Sequence, residues 1–119
     1  MGKVTKFEDL EIWKKGMILA VETYKLMQNC KDFGFKDQIQ RSAVSIPSNI
    51  SEGYERQTNK EFIQFLCIAR GSCGELRTQL YLANELGYLA KTDFITLLEE
   101  TKHLSAMLNN LISIRKTNF

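Results

Sequence analysis

The sequence contains no apolar run approaching the roughly 18 residues that a membrane-spanning helix requires, and it begins without the apolar core of a signal peptide. These absences argue against a membrane protein and favour a cytoplasmic one. The opening MGKVTK is a weak match to a myristoylation signal, and no second feature of the sequence indicates a lipid anchor.

The sequence is also poor in residues that build metal-binding sites. It has one histidine, His103, and three cysteines, an odd number without a pairing framework. Cys67 and Cys73 lie six residues apart on a predicted helix and point in different directions, so they cannot hold one metal ion. We interpret Cys30, Cys67 and Cys73 as small reduced core residues, and we expect no metal and no cofactor.

Motifs of the common enzyme classes are missing as well. The sequence has no HExxH, CxxC, GxSxG or Walker loop. Its adjacent carboxylates, Glu8–Asp9 and Glu99–Glu100, point about 100° apart on a helix, so neither pair shares a proton or a metal. The GSCG string at Gly71 to Gly74 matches the GxxG loop of KH-type RNA-binding domains, but it lies inside a long predicted helix. We therefore expect no catalytic residues.

What the chain does have is the composition of an ordinary globular protein, 44% hydrophobic and 25% charged. Its 119 residues fit one domain with one core. No linker, low-complexity tract or internal repeat divides it. We predict a single domain over residues 1–119.

Four segments carry the apolar spacing of α-helices, and none alternates as a strand does. The first begins after Asp9, a candidate N-cap, or one turn earlier with Thr5 and Glu8 as a capping box, and it ends near Asn29. Its apolar residues form a heptad seam that we expect to face the core: Leu10, Trp13, Met17, Ala20, Tyr24 and Met27.

The third and fourth segments also begin with candidate caps. The third starts at Thr58, which forms a capping box with Glu61, and it ends at Gly87. The fourth starts with Thr92 as its cap. The seam of the third is Phe62, Leu66, Ala69, Cys73, Leu76, Leu80 and Ala83, and that of the fourth is Phe94, Leu97, Leu104, Leu108 and Leu111.

The second segment, from about Phe35 to Glu52 with Gly53 as terminator, contains the only proline, Pro47. A proline inside a helix costs about 3 kcal/mol, yet the apolar spacing continues across it. We predict a helix that is kinked at Pro47, with a split at Ser45 as the alternative. Short serine and asparagine side chains around the proline are able to satisfy nearby backbone groups.

Helices of these lengths joined by short loops predict an all-α fold, an antiparallel up-down-up-down four-helix bundle. Apolar residues beyond the main seams, such as Ile63 and Ile68, exceed the need of one small bundle and predict self-association. The residues expected to shape the oligomer are Pro47, Asn49 and Glu52 near the kink, and Gly71 and Gly74, which would let another helix approach closely.

Charge is distributed unevenly along the predicted bundle, although the net charge of +2 is too small to indicate nucleic acid by itself. About two-thirds of the length is basic and the far end is acidic. Arg70 and Arg77 lie one heptad apart and share a face. This face is either an ordinary solvated surface or a basic groove for phosphates, for which the candidate residues are Arg41, Arg56, Lys60, Arg70 and Arg77.

Three strings, FEDLEIWKKG, QIQRSAVSIPSNISEGYER and EFIQFLCIARGSCGELRTQLYLANELGYL, cover most of the chain and resemble the proteins encoded within intervening sequences of 23S rRNA genes. The resemblance implies a bundle that assembles into a ring, a pentamer with a central channel, and it implies no catalytic residue. A related branch serves diversity-generating retroelements, where a basic pentameric barrel binds a reverse transcriptase and nucleic acid.

Two functions follow as hypotheses. The first is a non-enzymatic oligomeric module that binds RNA, or a nucleic-acid-processing protein such as a reverse transcriptase, through its basic surface. The alternative is a purely structural protein–protein adaptor, ribosome-associated or otherwise, that uses its wide apolar helix faces.

Overall fold

The computed structural model describes residues 3–119; Met1 and Gly2, where the weak myristoylation match begins, lie outside them. The described part is helical and contains no strand. A short 3₁₀ helix is followed by four long helices: Phe7–Asp9, then α1 (Glu11–Leu26), α2 (Phe33–Glu55), α3 (Asn59–Glu85) and α4 (Lys91–Asn118).

Each long helix packs against its neighbours in the chain, and α1 also packs against α4. The body measures 45 × 22 × 22 Å, about the length of α4 alone. The connections span residues 27–32, 56–58 and 86–90, and such short loops join antiparallel helices. The all-α bundle is confirmed, and an up-down-up-down order is consistent with these contacts.

The predicted seam of α3 is confirmed, since all seven of its residues are buried. In α4 the seam residues are buried from Phe94 to Leu108, and Leu111 is half-buried. These side chains form one apolar cluster together with residues of α1 and α2, including Leu19, Ile39 and Ile46. The heptad spacing therefore located the core of the second half of the chain correctly.

The predicted seam of α1 is partly wrong. Leu10, Ala20 and Met27 of that seam are buried, but Met17 and Tyr24 are exposed. The helix also faces the core with residues that the seam did not include: Ile12, Gly16, Leu19 and Thr23. Two of these residues, Gly16 and Thr23, are not apolar side chains, so a search for apolar spacing does not detect the buried face of α1. Gly16 has no side chain, and Thr23 is polar but fully buried because its hydroxyl donates to the Leu19 carbonyl at 2.7 Å. Met17 and Tyr24 belong to a second apolar face of α1, which stays at the surface.

One of the predicted caps is confirmed and two are wrong. Thr58 caps α3 by accepting from the Glu61 backbone N–H, and its hydroxyl donates to the Glu61 carboxylate. The N-cap of α1 is Leu10 and has no side-chain cap, because the carboxylate of Asp9 turns back to accept from Thr5. The N-cap of α4 is Ala90 rather than Thr92.

The second helix is longer at both ends than the spacing indicated. It begins at Phe33, two residues before the expected start, and Asp32 caps it by accepting from the Phe35 N–H at 3.2 Å. Gly53 does not terminate it; this glycine is buried inside α2 and faces Phe65 of α3. Gly87 ends α3 as predicted, with the positive φ of 74° that glycine adopts readily.

Helix α2 continues across Pro47, so the predicted continuation is confirmed against a split at Ser45. The bend angle at Pro47 stays a prediction. The polar residues beside the proline do serve the backbone: the Asn49 amide donates to the Ser45 carbonyl at 2.7 Å. The Ser51 hydroxyl donates to the Ser48 carbonyl at 3.0 Å. These bonds occupy carbonyls in the turns around the position where proline supplies no donor.

Candidate nucleic-acid interface

The five basic candidates do not form one cluster, and two of them pair with carboxylates of the same chain. Arg41 on α2 pairs with Asp37 at 2.9 Å, although its side chain remains 78% exposed. Arg56 at the end of α2 pairs with Glu52 at 2.7 Å and lies within 3.7 Å of Glu61 of α3. The hydrogen bond that Arg56 donates to Glu52 raises the pKa of Arg56.

Arg56 also stacks on an aromatic ring, with its guanidinium carbon 5.0 Å from the centroid of Phe65. Two carboxylates and a ring therefore engage Arg56 at the α2–α3 turn. Glu52, which was expected to help shape the oligomer, accepts this hydrogen bond inside the chain. We interpret Arg56 as a residue that fixes the turn more than one that offers charge to a ligand.

The three candidates on α3 are different. Lys60, Arg70 and Arg77 form no ion pair with any residue among 3–119. Arg70 instead donates to the side-chain oxygen of Asn109 on α4 at 2.7 Å, a neutral partner that leaves its charge uncompensated. Arg77 is half-buried one heptad further along, on the same face of α3.

The bond between Arg70 and Asn109 fixes which part of α4 lies beside this face. Lys102 and Lys116 lie seven residues before and after Asn109, so all three share one face of α4. Lys102 has a carboxylate neighbour, Glu99, at 3.8 Å, but both side chains are at least half exposed and such pairs are weak in water. We call Arg70, Arg77, Lys102 and Lys116 the α3–α4 basic strip.

Only the α3 half of this strip was predicted from the sequence. The heptad spacing of Lys102 and Lys116 around Asn109 was visible in the sequence. What was missing was the register between α3 and α4, which the packing of the two helices determines.

An apolar groove lies between α1 and α2, away from α3. It has a volume of about 530 Å³ and is lined by Trp13, Met17, Val21, Tyr24, Val44 and Pro47. This lining is the second apolar face of α1 together with the proline turn of α2, and we call it the α1–α2 groove. Contiguous exposed apolar residues of this kind mark sites of protein docking.

A second, more polar cleft lies between α1 and α4, with a volume of about 370 Å³. It is lined by Lys15, Ile18, Glu99, Glu100 and His103. Burial and the nearby charge of Glu22 raise the pKa of the Glu100 carboxyl, and Lys15 opposes that effect. Within residues 3–119, no group of three histidine, cysteine, aspartate or glutamate residues is placed to hold a metal ion.

A third, polar depression lies between α2 and α3, with a volume of about 290 Å³. We call it the α2–α3 groove, and it is lined by Gln38, Arg41, Ser42, Ser45, Glu75 and Gln79. Gln79 is only 8% exposed, and its side-chain oxygen has no hydrogen-bond partner. Of the predicted basic candidates, Arg41 lies in this groove.

The glycines predicted to admit another helix do not do so inside the chain. A Cβ added at Gly71 or Gly74 would meet no atom within 4 Å, because both positions are on the outer side of α3. The close contacts occur instead at Gly16 and Gly53. A role for Gly71 and Gly74 between copies of the chain stays a prediction, as does one for Pro47 and Asn49.

The cysteine interpretation is confirmed for Cys73, and all three thiols are free. Burial raises the pKa of the Cys73 thiol to about 11, so this side chain is an inert core residue. Cys30 and Cys67 are half-buried at the edge of the core.

Comparison with known families agrees with this architecture. The family model of the 23S rRNA-intervening sequence protein matches residues 8–110. The chain belongs to this family. A crystal structure of a protein of unknown function from the S23 ribosomal protein family of Bacteroides thetaiotaomicron is similar to it, with 27% identity and a TM-score of 0.80. That similarity covers 85% of this chain and 97% of the other.

Membership of the 23S rRNA-intervening sequence protein family confirms the resemblance seen in the sequence and brings no assigned activity with it. No curated protein matches this chain. None of the helices within residues 3–119 is long and apolar enough to cross a membrane. The pentameric ring, the RNA and the reverse transcriptase partner stay predictions.

Proposed function

We propose that the protein is a non-enzymatic, self-associating module that binds RNA along the α3–α4 basic strip. The observation that supports this proposal is the placement of Arg70 and Arg77 without a carboxylate partner, next to the row of Lys102 and Lys116. Cations that are not neutralised by the protein's own acids are free to replace the counterions of a phosphate backbone.

Spacing also favours an extended polyanion. Residues seven apart on a helix are separated by about 10.5 Å along its axis, since each residue rises about 1.5 Å. Arg70 and Arg77 therefore present two charges about 10.5 Å apart along α3, and Lys102 and Lys116, fourteen residues apart, present two about 21 Å apart along α4. A backbone lying along the α3–α4 seam would meet them in succession.

We also propose that a second copy of the chain covers the α1–α2 groove. Val21 and Tyr24 are each nearly half exposed there, and other apolar side chains, among them Ile68 and Leu82, are exposed on α3. These are two different surfaces, so a contact between them is heterologous, and heterologous contacts close into rings when the rotation allows. A ring would repeat the basic strip around its circumference and strengthen binding through multivalency.

The experiment for RNA binding compares two double variants with equal charge change. Arg70→Glu with Arg77→Glu reverses the α3 half of the strip. Lys31→Glu with Lys91→Glu reverses two exposed lysines near the other end of the bundle, as the control. We expect the first pair to lose binding of single-stranded RNA at least about tenfold and the second to stay close to the wild type. Equal losses of RNA affinity in the two double variants would show that only net charge matters, and would contradict binding at the α3–α4 basic strip.

A second candidate function, a protein–protein adaptor, is favoured by the α1–α2 groove. Val21→Glu places a charge in its apolar lining and should abolish the contact made there. If Val21→Glu leaves the oligomeric mass unchanged but removes a protein partner that resists nuclease and high salt, the groove serves the adaptor function. If it reduces the mass instead, the groove is the self-association surface.

A further inference from the structure

We propose that the α2–α3 groove receives one unpaired guanine base of the RNA whose phosphates lie on the α3–α4 basic strip. This inference rests on the proposed RNA binding and adds a base preference to it. The proposal is based on the juxtaposition of an unpartnered buried amide, Gln79, with a carboxylate, Glu75, and a guanidinium, Arg41, around a single cavity.

Gln79 is the observation that points to a ligand. Its side chain is more than nine-tenths buried, and its Oε1 atom makes no hydrogen bond to the protein. A buried polar group without a partner is costly, so native structures rarely retain one without a purpose. Gln79 lines the groove, and the last torsion of a glutamine is soft, so a half-turn about it exchanges the positions of Oε1 and the amide nitrogen at little cost.

The other polar side chains of the groove define what a ligand must offer. Glu75 is an exposed carboxylate and forms no ion pair within residues 3–119, so it accepts hydrogen bonds without competition. Arg41 donates, and its pairing with Asp37 is a highly exposed one that leaves its remaining N–H groups available. A ligand therefore needs donors for Glu75 and Gln79 and an acceptor for Arg41.

Guanine fits this set better than the other bases. Its Watson–Crick edge carries two adjacent donors, N1–H and the N2 amino group, which match a carboxylate in bidentate fashion, and beside them the acceptor O6. Adenine, cytosine and uracil each present only one donor position on that edge. A cavity of about 290 Å³ is at the lower end of the range of small-ligand sites and suits one base.

The outer side of α3 provides the path between the base and the phosphates. Glu75 and Arg77 are two residues apart on the helix, so they point to opposite flanks of it, one toward the groove and one toward the strip. Between these flanks, Gly71 and Gly74 leave the helix backbone bare, with nothing within 4 Å of an added Cβ. Gly71 and Gly74 therefore leave the surface of α3 low at this point, and a nucleotide chain would cross the helix there.

The test uses the full-length protein and two short single-stranded RNAs. One repeats adenine–adenine–guanine triplets, and the other carries inosine in place of each guanine, which removes only the N2 amino group. We expect the wild type to bind the guanine RNA at least about fivefold more tightly than the inosine RNA, the discrimination of one bidentate pair. Glu75→Gln should erase this ratio. Glu85→Gln, the same change on the same helix outside the groove, should retain it.

A second variant, Gln79→Leu, tests the same site in case Glu75→Gln does not fold. Gln79→Leu replaces the unpartnered amide with an apolar group of similar size, so it should keep the helix content and oligomeric mass while losing the guanine preference. Equal affinity of the wild type for both RNAs would overturn the guanine site. It would leave the proposed RNA binding at the α3–α4 basic strip intact. A preference that survives Glu75→Gln would place the base elsewhere. Absence of binding to both RNAs at low salt would overturn the proposed function as well.

Discussion

Gly53 of α2 lies against Phe65 of α3 so closely that a Cβ on Gly53 would be 2.5 Å from the Cβ of Phe65. The ring of Phe65 in turn carries the guanidinium of Arg56. The glycine that looked like a helix terminator is therefore the point of closest approach between two helices. It allows the aromatic and ionic contacts of the α2–α3 turn to form.

This contact predicts that Gly53→Ala is destabilising. The atom in the way is the Cβ of Phe65, which is attached to the backbone and cannot move alone, so α2 and α3 must separate. We expect a loss of about 1–3 kcal/mol in the free energy of unfolding, despite the better helix propensity of alanine. Urea denaturation measures it, and an unchanged or increased stability would contradict the close approach.

Substitution by alanine at Gly71 or Gly74 is expected to stabilise the protein, unlike Gly53→Ala. Neither position has an atom within 4 Å of an added Cβ, so alanine brings only its helix propensity. Each substitution should stabilise the monomeric bundle by about 1 kcal/mol. Thermal unfolding, followed together with the oligomeric mass, checks it. A destabilisation accompanied by loss of oligomer would show instead that a second copy packs on these glycines.

Pro47 contributes to the α1–α2 groove and lies 3.5 Å from the position of an added Cβ on Gly16. Pro47→Ala restores a backbone donor inside α2, so helix content should stay the same or rise slightly. We expect the shape of the oligomer to change more than the helix content, because the proline turn sets the surface that meets a neighbour. Circular dichroism with small-angle scattering measures both. An oligomer of unchanged mass and shape would contradict a shaping role.

The sequence predicted a helix's buried face correctly where apolar residues alone occupy that face, and incorrectly where glycine or polar residues share it. The α3 seam around Leu76 and the cap at Thr58 were predictable, because a single apolar stripe and a local hydrogen-bond pattern specify them. The core face of α1 was not, since Gly16 and Thr23 occupy it while Met17 looks like a core residue.

The candidate site was less predictable than the fold. Which cations are free depends on pairings such as Arg56 with Glu52, and on the register that brings Arg70 beside Asn109. The first pairing is local, and its i,i+4 spacing was readable in the sequence. The second joins residues 39 positions apart in the chain, and only the packed helices reveal it.

Glu100 predicts a dependence of stability on pH. Burial in the α1–α4 cleft and the nearby Glu22 raise its pKa in the folded state, so the folded protein binds the proton more tightly than the unfolded chain does. The contribution of Glu100 to stability is therefore present at low pH and is lost as the pH rises through the raised value.

The variant Glu100→Gln should consequently melt at a higher temperature than the wild type at pH 7, and the difference should shrink as the pH falls below the ordinary value of a glutamate. Thermal unfolding across this pH range is the measurement, and Glu99→Gln, on the adjacent position, is the control. A difference that does not change with pH would contradict the raised pKa.

The salt dependence of RNA binding measures how many phosphates the α3–α4 basic strip contacts. For single strands, the logarithm of the affinity falls with the logarithm of the salt concentration by about 0.7 per phosphate contacted. We predict a linear decrease whose slope becomes shallower by about 0.7 in Arg70→Gln and is unchanged in Lys31→Gln. No RNA binding at low salt, or equal slopes for both variants, would contradict phosphate binding at this strip.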